Sequence, residues 1–125
     1  MRKLIPFWLM CMAIFGTHIA TSFFLQPNMR DDAFWGYHIF FIAYSSGSLL
    51  GLHKVKKVDP NRVGMGFLAT SVFRMLASAG YLLIRLNDFS GDKMVVIAHF
   101  FIPFFLYLIA EVIMVLGMLK PTANS

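Results

Sequence analysis

Apolar residues fall in four long runs along the chain, at about 4–25, 34–52, 63–86 and 94–119, separated by short stretches rich in charge, proline and glycine. A helix needs about 20 residues to cross a hydrocarbon core, so each run predicts a membrane-spanning helix. The connections are about ten residues or fewer, a length that suits antiparallel neighbours in a bundle. The pattern predicts an all-α integral membrane protein, a single transmembrane domain over residues 1–125. Its expected form is a four-helix bundle, up-down-up-down.

Local chemistry sets the expected ends. The first helix begins after Arg2 and Lys3, with Pro6 in a first turn that has no intrahelical N–H bond to lose, and stops at Pro27 in "QPNMRDD". Phe34, Trp35 and Tyr37 open the second with aromatics suited to the headgroup boundary. The second closes at "HKVKKVDPNR", read as a basic loop, in which Pro60 breaks the run and Asp59 or Asn61 caps the third helix. The turn "NDFSGDK" precedes the fourth, which ends at Lys120 and Pro121. The start "MRKLIPFWLMCMAIFG" has the form of a secretory signal, but its apolar run continues through "THIATSFFL". That exceeds the roughly 7–15 residues of such a core, and an uncleaved first helix is expected.

Composition excludes a water-soluble surface. Hydrophobic residues make up 58% of the 125 and charged ones 14%, against about 25% charged in a soluble domain, and the mean hydropathy is +0.70. The net charge of +5 matters mainly through its placement. With the amino terminus in the cytoplasm, that side carries Arg2, Lys3, Lys54, Lys56, Lys57, Arg62 and Lys120. The other side carries Arg30, Arg85 and Lys93, diluted by Asp31, Asp32, Asp88 and Asp92. This asymmetry predicts both termini inside. Lys54, Lys56, Lys57 and Arg62 are expected to set topology or to meet anionic headgroups. They lie between spans without interleaved aromatics, so nucleic acid is not an expected partner. Cys11 is the single cysteine, which excludes a disulfide within one chain.

One residue interrupts "MGFLATSVFRMLASAGYLL". Arg74 lies eleven residues from Val63 and twelve from Leu86, near the middle of its span, where an arginine costs about 2.5–3.5 kcal/mol on insertion scales. A partner is required, and Glu111 is the acidic residue available inside a span. At 1.5 Å per residue the two Cα depths differ by about 4–5 Å, within reach of the Arg side chain. Thr70, Ser78 and Tyr81 share the Arg74 face, and Tyr107 precedes Glu111 by one turn, so their hydroxyls are candidate supports for the pair. Such a pair locks two helices in register, docks another membrane protein, or lies on a proton or ion pathway.

His18, His38 and His99 come from three different helices at similar expected depth. Imidazoles so placed pass protons or bind a metal, or simply bond a neighbouring helix; their spacing is not a recognised metal motif. Gly16 with Ala20, and Gly47 with Gly51, have the four-residue spacing that lets helix backbones approach in lipid. Packing within the chain is the expected use, and a dimer face the alternative. No catalytic carboxylate pair, nucleophile triad, H-E-x-x-H or phosphate-binding glycine loop is present. Neither an enzyme nor a cofactor is expected.

The stretches "GFLATSVFRMLASAGYLL" and "FFIPFFLYLIAEVIMVLGMLK" resemble a group of short four-helix membrane proteins of Bacteroidetes, themselves similar to the ATP synthase protein I type. The resemblance rests on the basic residue in the third helix, Arg74, and on Phe101, Pro103 and Glu111 in the fourth. It implies a multi-pass protein of the bacterial inner membrane that is an accessory or assembly factor, with membrane subunits of ATP synthase as partners. It also leaves open a small homo-oligomeric cation or proton transporter or channel.

Overall fold

The computed structural model describes residues 4–25, 34–88 and 92–119. Four helices account for nearly all of them: α1 (Ile5–Phe24), α2 (Phe34–Val58), α3 (Val63–Asp88) and α4 (Lys93–Leu119). Expectations placed on Arg2, Lys3, "QPNMRDD", residues 89–91, Lys120 and Pro121 lie outside the described residues.

Pro6 sits in the first turn of α1. Before α3, the Asp59 carboxylate accepts from the Asn61 backbone N–H at 3.1 Å and caps a 3₁₀ turn, Pro60–Arg62, that leads into the helix.

One helix boundary needs correction. "HKVKKVDPNR" is not a loop: its first six residues complete α2, which runs on from Leu52 to Val58. Lysines are good helix formers, and Lys56 and Lys57 in the last turn complement the negative end of the helix dipole. The connection therefore shrinks to Asp59 and the 3₁₀ turn. Of the four expected spans, three are long and apolar enough to cross a membrane among the described residues: Ile5–Phe24, Pro60–Asp88 and Lys93–Leu119. The 25-residue α2 has the length but not the apolarity, because Tyr44, Ser45, Ser46 and Ser48 interrupt its middle and His53, Lys54, Lys56 and Lys57 its end.

The four helices pack as a bundle in which α2 and α4 make the largest contact; α3 packs on both, and α1 chiefly on α4. Buried residues of α4 recur at Val96, His99, Phe100, Pro103, Tyr107, Ala110, Glu111, Val115 and Met118, the three- and four-residue spacing of one helix face. Against them α2 sets Tyr37, Phe41, Leu49 and Leu52, and α1 sets Phe7 and Cys11. The Phe41 ring packs on Phe100 at 5.3 Å and on Tyr107 at 5.8 Å between centroids, so aromatic area fills this seam. At Gly66 a Cβ would stand 2.8 Å from Leu52 Cδ2, so α3 comes close to α2 there because the side chain is missing.

On α3 the buried residues are only Val63, Arg74 and Ser78, while Val72, Phe73, Met75 and Leu76 around them are exposed. Lipid tails are as apolar as these side chains and give no hydrophobic drive to helix association. Polar contacts therefore carry much of what holds α3 to the bundle. The small-residue rows do not pack within the chain as expected. Gly16, Ala20, Gly47 and Gly51 all face outward, and a Cβ at any of the three glycines would meet nothing within 4 Å.

Candidate functional site: two polar layers in the bundle

The first layer is built on Glu111 and Arg74, 0% and 3% exposed. They form an ion pair between α4 and α3 through Arg74 Nη2 and Glu111 Oε2. Helix α2 completes the site. Ser48 donates to Glu111 Oε1 at 2.9 Å, Ser45 donates to Oε2 at 3.4 Å, and Arg74 Nη2 reaches Ser45 Oγ at 3.4 Å. The guanidinium also lies 5.1 Å from the centre of the Tyr44 ring, a cation–π distance. Tyr44 is held there by its hydroxyl, which donates to the Thr70 carbonyl at 2.6 Å. Both carboxylate oxygens are thus engaged, whereas Arg74 Nη1 and Ser78 Oγ are buried without a hydrogen-bond partner.

The second layer joins three histidines and a tyrosine. His18 Nε2 is 2.8 Å from His99 Nδ1, His18 Nδ1 is 2.7 Å from His38 Nε2, and His38 Nδ1 is 2.6 Å from the Tyr107 hydroxyl. A neutral imidazole has one N–H and one lone pair, so the protons in this chain are ordered. If Tyr107 donates to His38 Nδ1, then His38, His18 and His99 all carry their protons on Nε2. If the order is reversed, all three carry them on Nδ1. The four groups form a single-file relay with two polarities, the arrangement a proton needs to hop between rings. As a metal site it is poorly built, because both His18 nitrogens are directed at other rings. Among the described residues, no group of three or more His, Cys, Asp or Glu is placed to hold a metal ion.

The relay borders a cleft of about 500 Å³ between α1 and α4, where His18, His38 and His99 meet Thr17, Thr21 and Asp92 among apolar walls. Pro103, one turn after His99 on α4, lacks the N–H that would bond the His99 carbonyl in a regular helix. Further along α4, Glu111 follows Tyr107 by four residues, about 6 Å along the helix. Beyond Glu111, buried Leu49, Leu52, Val115 and Met118 form an apolar layer.

Of the residues singled out from sequence, the structure brings together Arg74 with Glu111, and His18 with His38, His99 and Tyr107. The expected hydroxyl supports do other work. Thr70 Oγ1 donates to the Phe67 carbonyl, and the Tyr81 ring packs against Phe40 and Tyr37 at 5.2 and 5.6 Å. Ser78 is buried on the Arg74 face but makes no hydrogen bond. The hydroxyls that bond the pair are Ser45 and Ser48, which sequence reasoning missed. They lie in "YSSGSLLG", whose glycines drew attention to its other face. Their three-residue spacing was the available signal, since it puts both on one side of α2. Of the basic residues, Arg62 pairs with Asp59 at 3.3 Å and Lys54 is exposed.

Compared with protein-family models, curated proteins and solved structures, the chain matches none.

Proposed function

We propose that the protein handles protons within the bacterial cytoplasmic membrane, as a small multi-pass transporter or regulator of proton movement. The observation that carries this reading is the relay His99–His18–His38–Tyr107, with links of 2.6–2.8 Å, which starts at a cleft and points toward Glu111. The positive-inside asymmetry supports an orientation with both termini in the cytoplasm, and the helix contacts support up-down-up-down passage, with α2 crossing among three more apolar partners. In that orientation the cleft opens outward. The Leu49, Leu52, Val115 and Met118 layer closes the inner end, so net transfer requires the helices to part there.

Purified protein in liposomes with an entrapped pH-sensitive dye tests the reading under an imposed potential. Acidification should depend on the protein and be lost in His38→Ala and Tyr107→Phe. Absence of flux in the unsubstituted protein, or flux indifferent to both changes, would sink it.

The second reading is a non-catalytic accessory protein that seats a helix of a larger complex, with the ATP synthase membrane sector as the candidate suggested by the resemblance around Arg74 and Glu111. It is favoured by the exposed, uncovered row of Gly47 and Gly51 on α2, which a partner helix or a second copy can approach closely. Co-purification with synthase subunits that is lost in Gly47→Leu supports it. Normal synthase assembly in a deletion strain counts against it.

A further inference from the structure

At the end of the bundle away from the histidines, α2 and α4 leave a groove of about 590 Å³. One wall is His53, Lys56 and Lys57, which share a face of α2 by their three- and four-residue spacing; the other is Ile113, Met114 and Gly117 of α4. Among the described residues, no carboxylate lines it. The acid nearest in sequence, Asp59, is paired with Arg62. The groove is therefore cationic on one side and apolar on the other, and it lies where α2 passes from apolar sequence to its basic last turns.

We infer that this groove binds one anionic phospholipid, with the phosphate held by Lys56 and Lys57 beside the His53 ring and an acyl chain laid along Ile113, Met114 and Gly117. The division of the two walls selects the occupant. A free phosphate would leave the apolar wall bare, and a purely apolar molecule would have to lie against two ammonium groups. A zwitterionic lipid would bring its own cation to the lysines. The same lysines also complement the C-terminal dipole of α2, but that role gives no preference among lipids. The open floor at Gly117, where a Cβ would meet nothing within 4 Å, is space for the chain.

The test is native mass spectrometry of the full-length protein in neutral detergent, titrated with dioleoyl phosphatidylglycerol, dioleoyl phosphatidylcholine or inorganic phosphate. Phosphatidylglycerol should be retained selectively. Each lysine near a membrane surface contributes about fivefold in affinity for anionic lipid, so Lys56→Gln with Lys57→Gln should weaken retention by about 25-fold, and the double arginine variant should restore it. Gly117→Leu fills the apolar floor without altering charge; it should weaken phosphatidylglycerol binding while leaving the circular dichroism spectrum unchanged. Equal retention of phosphatidylcholine, or indifference to the lysine changes, would overturn the inference. So would phosphate binding as tight as the lipid with no effect of Gly117→Leu, which would mark an anion site instead.

Discussion

Removing one member of the buried ion pair should destabilise the bundle more than removing both. Glu111→Ala leaves the Arg74 guanidinium in the interior with Ser45 Oγ at 3.4 Å and the Tyr44 ring at 5.1 Å as its remaining contacts, and with Nη1 already lacking a hydrogen-bond partner. Losing one partner of a buried pair costs about 3–5 kcal/mol, and this variant belongs at the upper end. Arg74→Ala should cost nearer the lower end, about 3 kcal/mol, because the carboxylate keeps Ser48 at 2.9 Å and Ser45 at 3.4 Å. The double variant strands no charge and loses mainly packing and interhelical attachment. A coupling energy of about 2 kcal/mol or more is expected, above the roughly 0.6 kcal/mol average and 1.7 kcal/mol maximum measured for interhelical contacts in a membrane bundle. Reversible unfolding in mixed lipid and detergent micelles, followed by circular dichroism, supplies the four free energies. Losses that simply add would refute the reasoning and mean that the two charges do not stabilise one another.

The serines should rank by distance. Ser48→Ala removes a 2.9 Å bond to a buried carboxylate and should cost about 1.5–3 kcal/mol, whereas Ser45→Ala, at 3.4 Å, should cost less; the reverse order in the same unfolding assay would contradict the geometry. The relay predicts that nitrogen NMR of labelled histidine in bilayers finds His18, His38 and His99 in one common tautomer, and opposed tautomers in neighbouring rings would break it. Gly66→Leu should destabilise by about 1–3 kcal/mol through overpacking, because a Cβ there already stands 2.8 Å from Leu52. Gly47→Leu, into open space, should be neutral or stabilising by about 0.5–1 kcal/mol from helix propensity, so equal effects at the two glycines would show that α2 and α3 do not approach as described.

Helix number was legible because apolar length is a long-range property of the sequence that few local choices can disguise. The ion pair was legible for a related reason: a lone cation and a lone anion at matching depth in lipid leave few alternatives. What escaped was rotation about each helix axis. Thr70 follows the Arg74 face by spacing, yet its hydroxyl turns back to its own helix at Phe67 and leaves the Tyr44 hydroxyl to take its carbonyl. A serine or threonine in a helix satisfies itself this way whenever its neighbours do not demand otherwise, so spacing alone does not assign its bond. The same uncertainty separated the two faces of "YSSGSLLG". Ser45 and Ser48 face the pair, while Gly47 and Gly51 face outward. Nothing in one sequence says which of these two small-residue faces is inside. The extension of α2 was hidden because "HKVKKV" is ordinary helical sequence whose charges suggested an aqueous loop.

That extension and the polarity of α2 have one explanation. Its side chains bond all three other helices: Ser46 accepts from Trp8 of α1 at 3.0 Å, Tyr37 accepts from Arg85 of α3 at 3.0 Å, and Ser48 and His38 meet Glu111 and Tyr107 of α4. A helix that makes these bonds has to carry hydroxyls and an imidazole at lipid depth, so it falls short of the apolarity of its neighbours. It tolerates this because those groups are covered when the bundle is assembled. In lipid, where apolar contact does not distinguish protein from solvent, such bonds specify which faces meet. On the proposed function, the residues that make the bundle specific would also be the ones that transfer protons, and the two roles would share Tyr107 and Glu111. Conservative changes separate them. Tyr107→Phe keeps the ring packing against Phe41 and removes only the end of the relay, so a fold that survives without flux would assign Tyr107 to transfer, whereas retained flux would leave it a packing residue.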